Sequence, residues 1–257
     1  MKLEPVNFDD WTYGRKAYSP SSGEDIDFNI SLFRNETESS VEKEIRERFR
    51  GKSINAYWKG RCCEVFDISQ KKVSCFFRSV LGVDYVVNHA LSRSLMAFQN
   101  VLGMIFLHAA CIIVEGKASL FIAPSGGGKT TLSLLARDAG FKVLNDEYCV
   151  IKQKNGSFFT GVFPVNIGTE YADKVWEIEK IYFLRKSNRN EVSVILPTEA
   201  MKRSVPEALQ HYRNTILDEH QIEDRKRVFG FLSSMFDTVD FKLLDFTKST
   251  EVFKCLK

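Results

Sequence analysis

Apolar residues recur at two periods along this chain, and the change of period divides it. Up to about residue 83 they come in short alternating stretches between polar turns. SINAYWKG (53–60) and CCEVFDIS (62–69) predict strands, and SVEKEIRERFR (40–50) predicts a short charged helix opened by a Ser cap. From residue 84 to 107 the spacing turns helical, with Val87, Leu91, Leu95, Phe98 and Leu102 on one face, which predicts a buried helix. Two apolar runs follow, ACIIV and ASLFIA, joined at Glu115-Gly116-Lys117 as a tight hairpin. Next come a glycine loop, a helix from about Lys129 to Asp138 stopped by Gly140, and a buried strand, FKVLN, ending at Asp146-Glu147. A hairpin turns at Asn155-Gly156, a helix-like stretch lies near 169–177, and KIYFL is a strand. In the last third VSVILP and VDFKLLDF read as strands, and EALQHYRNTILDEH and RKRVFGFLSSMF as amphipathic helices. The pattern predicts an α/β chain: a β-rich N-terminal region over 1–83 and a core over 84–257, with no repeat and no low-complexity linker between them.

Composition narrows the function classes. The chain has 257 residues, 44% of them hydrophobic and 27% charged, which suits a globular protein with a sizeable core. A net charge of +3 is too small to argue for nucleic acid or a membrane surface. No run approaches the ~18 apolar residues of a membrane span. MKLEPVNFDDW is acidic and mixed, unlike a secretory signal. The six cysteines include no C-x-x-C pair and read as free thiols of a cytoplasmic protein. A homo-oligomer stays open.

The chemistry concentrates in LFIAPSGGGKTTLSLL (120–135). A phosphate-binding loop needs inward backbone N–H groups, a helix N-terminus and a lysine for the outer phosphates. Ser125, Gly126, Gly127, Gly128 and Lys129 supply the amides, Lys129 the charge, and Thr130 or Thr131 a hydroxyl for Mg²⁺. The pattern G-x-x-x-x-G-K-[ST] has glycine where this chain has Ala123, a position whose amide is not a main phosphate donor.

Asp146 lies seventeen residues beyond Lys129, across a helix and a strand. A right-handed crossover makes FKVLN parallel to the strand before the loop, so both end on the ligand-binding edge of the sheet. A carboxylate there holds Mg²⁺ or takes a proton from an incoming hydroxyl. Glu147 is a second acid, a metal-ligand candidate. His108 precedes the hairpin; counting eight residues to either side of Gly116 sets it against residue 124, at the loop mouth. There it would bind phosphate or position the acidic pair.

The order His108-Ala109-Ala110, hairpin, Pro124-Ser125-Gly126-Gly127-Gly128-Lys129-Thr130-Thr131, helix, then Asn145-Asp146-Glu147 resembles the HPr kinase/phosphorylase family. Within it the chain is most similar to the shorter HprK-related kinases, among them serine kinases of lasso-peptide precursors, a likeness shared by FPVNIG (163–168) and KIYFL. The resemblance covers about residues 100–186. It implies a P-loop core with a mixed sheet, like that of phosphoenolpyruvate carboxykinases, and ATP-dependent phosphorylation of a hydroxyl, of serine first of all, on a peptide or protein. It makes Asp146 the base, Lys129 and the loop the ATP site, Thr130 a Mg²⁺ contact and His108 a support. Glu177 or Glu179 is the candidate for the family's later Mg²⁺-binding glutamate, and Arg185 or Arg203 for its later arginine. The alternatives are a small-metabolite kinase, for example of free serine, and a nucleotide sensor without catalysis.

Overall fold

The structure, a computed structural model, describes residues 10–17, 26–35, 55–59, 62–67, 72–78, 96, 99, 103–162, 174–210 and 221–256. The chain forms two compact units, Met1–Leu102 with His211–Gln221, and Gly103–Gln210 with Ile222–Lys257. In the first, strands β1 (Asp10–Ala17), β2 (Ile26–Asn35), β3 (Asn55–Lys59), β4 (Cys62–Asp67) and β5 (Lys72–Arg78) form a sheet in the order β1-β2-β5-β4-β3. Only β2 and β5 pair in parallel. Val65, Cys75 and Phe76 are buried there. The predicted helix over 40–50 lies outside the described residues.

The second unit is mixed α/β. Its strands are β6 (Met104–Leu107), β7 (Ala109–Val114), β8 (Lys117–Ile122), β9 (Lys142–Asn145), β10 (Cys149–Lys154), β11 (Ser157–Gly161), β12 (Val175–Lys186), β13 (Glu191–Val194) and β14 (Asp240–Phe246). The helices are α1 (Lys129–Asp138), α2 (Pro197–Ala208) and α3 (Gln221–Phe236), with a 3-10 helix over Thr250–Cys255. The sheet runs β6-β10-β11-β12-β8-β7-β9, and β14 joins β12 and carries β13. β12 is the long shared strand. Its first residues pair with β11, its later ones in parallel with β14, and its other side in parallel with β8.

Strands covered on both faces are apolar almost throughout, and β8 is such a strand. Ala118, Leu120 and Ile122 point into one cluster with Ile181, Phe183, Ala200, Val228 and Leu232. Phe121 and Ala123 point into the other with Tyr182, Leu132, Ala136, Leu244 and Phe246. Thus α2 and α3 cover one face, and α1 and the 3-10 helix the other. Each fully buried large side chain contributes roughly 1.5–3 kcal/mol over exposure. Burial, and then the negative charges of Asp240 and Glu179, push the Tyr182 phenol up to about 12.

Local signals explain the boundaries. Glu115 and Gly116 both have positive φ, so β7 and β8 join through a two-residue turn whose twist suits a hairpin. α1 ends in paired bonds, Gly140 N–H to Arg137 O (3.0 Å) and Phe141 N–H to Ala136 O (2.8 Å), with Gly140 left-handed. Pro197, expected to close a strand, opens α2 instead, where its missing N–H costs nothing. Two helical expectations fail at their ends. Met104–Leu107 is strand β6, paired with β10, and 175–177 begin β12. A four-residue apolar run does not distinguish helix from strand until a partner strand claims its backbone. The rest of those two segments, apart from the buried residues Met96, which is helical, and Gln99, the exposed turn residue Gly103, and Lys174, which precedes β12, lies outside the described residues.

Candidate functional site

The parallel strands β8, β12 and β14 end together at one edge of the sheet, where β8 passes through Ala123 into the glycine loop. The loop turns on Gly127 N–H donating to Pro124 O at 2.9 Å. Gly126 and Gly128 have φ of 76° and 108°, a region that favours glycine. Space is as restrictive as dihedral angle. A Cβ on Gly127 would lie 2.5 Å from Ala123 Cβ, and one on Gly128 would lie 2.5 Å from Phe246 Cζ. Ala123 itself has ordinary φ, and its methyl fills the space that Gly127 leaves. Ser125 and Gly126 are exposed, so the loop presents its backbone to solvent at the start of α1.

Lys129 begins α1 and is buried, with Nζ donating to Ala123 O at 2.5 Å. Burial pushes its ammonium below the ordinary lysine range, and the negative charges of Glu207 and Glu147 pull it part of the way back. Thr130 is exposed and Thr131 half-buried on the first turn.

His108 stands in the break between β6 and β7. The pairing of Ala109 with Ile122 extends to set it opposite Ala123, one residue short of the expected 124, because the turn is centred between Glu115 and Gly116. Its Nδ1 lies 2.6 Å from Glu207 Oε2, and its backbone N–H donates to Glu207 O at 3.2 Å. Its ring centroid is 5.5 Å from that of Tyr148.

β9 runs in the direction of β8, as the crossover requires, but β7 lies between them and β9 pairs antiparallel with β7. Asp146 and Glu147 follow β9. Asp146 is half-exposed and its Oδ2 lies 3.8 Å from Arg137 Nη2 of α1; Glu147 is exposed, and its charge reaches Lys129. The structure therefore gathers His108, Glu147 and Glu207 around the loop and Lys129, and turns Asp146 toward Arg137.

Glu177 and Glu179 lie at the other end of β12, level with the start of β8, where Glu177 pairs with Lys117 and Glu179 with Lys180. They are not brought to the loop. Arg203 pairs with Glu199 along α2 at 2.7 Å. Arg185 does lie at the loop edge. It holds Asp245 through Nε (2.5 Å) and Nη2 (2.7 Å), and this holds the buried Asp245 carboxyl below the usual range. Glu207, Asp245 and Phe246 carry no sequence signal that marks them; each arrives from an element distant in the chain.

Ala123 and Phe246 pack where side chains at 127 and 128 would lie, which fixes the loop's shape and leaves the backbone at Ser125 and Gly126 open to a ligand. Among the described residues no three His, Cys, Asp or Glu side chains are grouped to hold a metal. Mg²⁺ bound with substrate phosphates asks for only one or two protein ligands, so the lack of such a group does not by itself argue against it. Cys149 is a poor nucleophile, because burial raises its thiol well above the ordinary range and Sγ donates to Ala109 O at 3.2 Å. Among the described residues no helix is long and apolar enough to cross a membrane.

The family model described as "SynChlorMet cassette protein ScmC" matches residues 82–253. No curated protein matches the chain. Among solved structures, the Hpr(Ser) kinase/phosphatase from Coxiella burnetii is 14% identical, with 51% of this chain and 98% of that chain covered, at a TM-score of 0.27. At that score the overlap does not define a common fold.

Proposed function

We propose that this chain, which belongs to the SynChlorMet cassette protein ScmC family, is an ATP-dependent kinase with an HPr kinase-like P-loop core that phosphorylates a hydroxyl, of serine first of all, on a peptide or protein. The observation that carries the reading is Lys129. A lysine buried at a helix N-terminus, beneath a loop whose glycines are required by both φ and space, is costly unless an anion uses it.

In this reading the amides of Ser125 to Lys129 and the start of α1 bind the β- and γ-phosphates, and Lys129 Nζ leaves Ala123 O to bridge them. Thr130 and Glu147 hold Mg²⁺, which neutralises charge on the phosphate oxygens when bound. Asp146 takes the proton of the acceptor hydroxyl. The hydroxyl oxygen forms its bond to the γ-phosphorus as the bond to the bridging oxygen breaks and ADP departs. His108 supports the site from the break before β7.

The test is incubation with labelled ATP and three acceptors: free serine, HPr, and any peptide encoded beside the gene. Transfer to one of them is expected, and Asp146→Asn should retain ATP binding while losing transfer. Intact ATP binding with no transfer to any hydroxyl would sink the kinase reading. The contact of Asp146 with Arg137 favours a second reading, a nucleotide sensor, since it pairs the carboxylate with α1. A sensor would be indifferent to Asp146→Asn.

A further inference from the structure

No step of the proposed transfer uses Glu207, yet this residue takes hold of His108 twice. Its backbone carbonyl accepts the His108 N–H at 3.2 Å and its carboxylate meets Nδ1 at 2.6 Å. The two side chains are 11% and 12% exposed, so the contact is sheltered from water. Glu207 occupies the last turn of α2, and His108 occupies a break in the strands one position from the loop. The ring spans from Glu207 to Tyr148, the residue after the acidic pair. Ala123, which His108 faces, offers the carbonyl that holds Lys129. A single imidazole thus links the end of α2, the acid turn and the loop entrance.

We infer that Glu207 is the positioning residue of His108: its carboxylate fixes the Nδ1–H tautomer and leaves Nε2 as the nitrogen that meets a ligand. An ionised carboxylate only accepts hydrogen bonds, so Nδ1 must donate, and a neutral imidazole then carries its lone pair on Nε2. A carboxylate behind a functional imidazole commonly sets orientation and tautomer in this way. The backbone bond fixes where the ring begins and the side-chain bond fixes how it rotates. Only its effect on transfer rests on the kinase reading; the tautomer does not.

The experiment has two readouts. Two-bond proton–nitrogen spectra of ¹⁵N-labelled chain report the tautomer of each of the four histidines, and His108→Ala identifies the signal. The wild type should show the Nδ1–H form for His108, and Glu207→Gln should lose that preference with its thermal midpoint held. In the transfer assay Glu207→Gln should lower kcat about 10- to 100-fold, with KM for ATP changed less than about 2-fold. Glu207→Asp should recover part of the loss, and Glu207→Gln should cost nothing more in a His108→Ala background. The inference is overturned if the His108 tautomer is the same in Glu207→Gln, if Glu207→Gln weakens ATP binding as much as transfer, or if its cost persists without His108. Should Glu207→Gln not fold, Glu207→Asp and its combination with His108→Ala carry the same comparison. A wild type that transfers phosphate to nothing defeats the kinase reading alone, and the spectra still decide the role of Glu207.

Discussion

The two ends of strands β8 and β12 carry charged residues of very different cost. At the start of β8, Lys117 pairs with Glu177, with side chains 46% and 38% exposed. Hydrogen bonds from Lys117, and then from Ser157, hold the Glu177 carboxyl below its usual range. Such pairs are screened and interchangeable with water. At the other end, Lys129, Glu207 and Asp245 are buried or nearly so. There each charge gives up hydration and must find a named partner. One end is an ordinary solvated rim; the other holds charge where water cannot neutralise it, the kind of setting in which binding and catalytic groups of proteins are found.

The largest effect expected from breaking this contrast is at Lys129. Lys129→Met should lower kcat on the order of 100- to 1000-fold. The Tm of the ligand-free chain should stay the same or rise, since a desolvated charge is removed. The labelled-ATP transfer assay alongside thermal melts checks both; a large fall in Tm would mean that Lys129 is there for stability.

Gly128→Ala comes next. The substitution places a side chain at φ 108° and a Cβ against the Phe246 ring, at a cost of about 1–3 kcal/mol. Measured against Phe246→Ala alone, the cost of Gly128→Ala should fall by only the steric share, because the dihedral strain remains. Denaturant unfolding of both single variants and the double variant separates the two contributions, and a Gly128→Ala that costs nothing in the Phe246→Ala background would show that φ has no part.

Asp245→Asn should lower Tm by several degrees at neutral pH by breaking the fork with Arg185. The folded Asp245 carboxyl sits below the unfolded value, so its contribution is complete above that value and is lost as pH falls through the depressed one. The gap in Tm between wild type and variant should therefore be full near pH 7 and narrow from about pH 4 downward. A gap that is constant across that range would deny the pair its role.

The smallest effect is expected at the solvated end. Lys117→Ala should move Tm by less than about 1 °C and leave nucleotide binding as it is. A change comparable to that of Asp245→Asn would erase the distinction between the two ends.

How far each feature was legible follows from how far its cause lies along the chain. The β7–β8 hairpin was readable because a two-residue turn joins its strands, but the turn is centred between Glu115 and Gly116, which sets His108 opposite Ala123 and not the expected residue 124. The direction of β9 followed from the handedness of the crossover, but not the insertion of β7 between β9 and β8, since handedness fixes direction and not neighbours. Met104–Leu107 was misread as helix because four apolar residues in a row satisfy both periods until β10 pairs with them. Glu207 gave no signal because a glutamate in an amphipathic helix looks the same whether it faces water or a histidine 99 residues away.

The sequence by itself determined the loop. Ser125 to Thr131, the apolar strand before it and the glycine after α1 act within a few residues of one another, and local sterics suffice to shape them. Even Ala123 is explained locally, since its methyl occupies the space that Gly127 leaves open. Only the tertiary structure decided what surrounds the loop: Phe246 beneath Gly128, Glu207 behind His108, Arg185 on Asp245, and Asp146 turned to Arg137. Those contacts exist because packed helices and parallel strands bring distant residues to one edge, and burial there makes every charge depend on its partner.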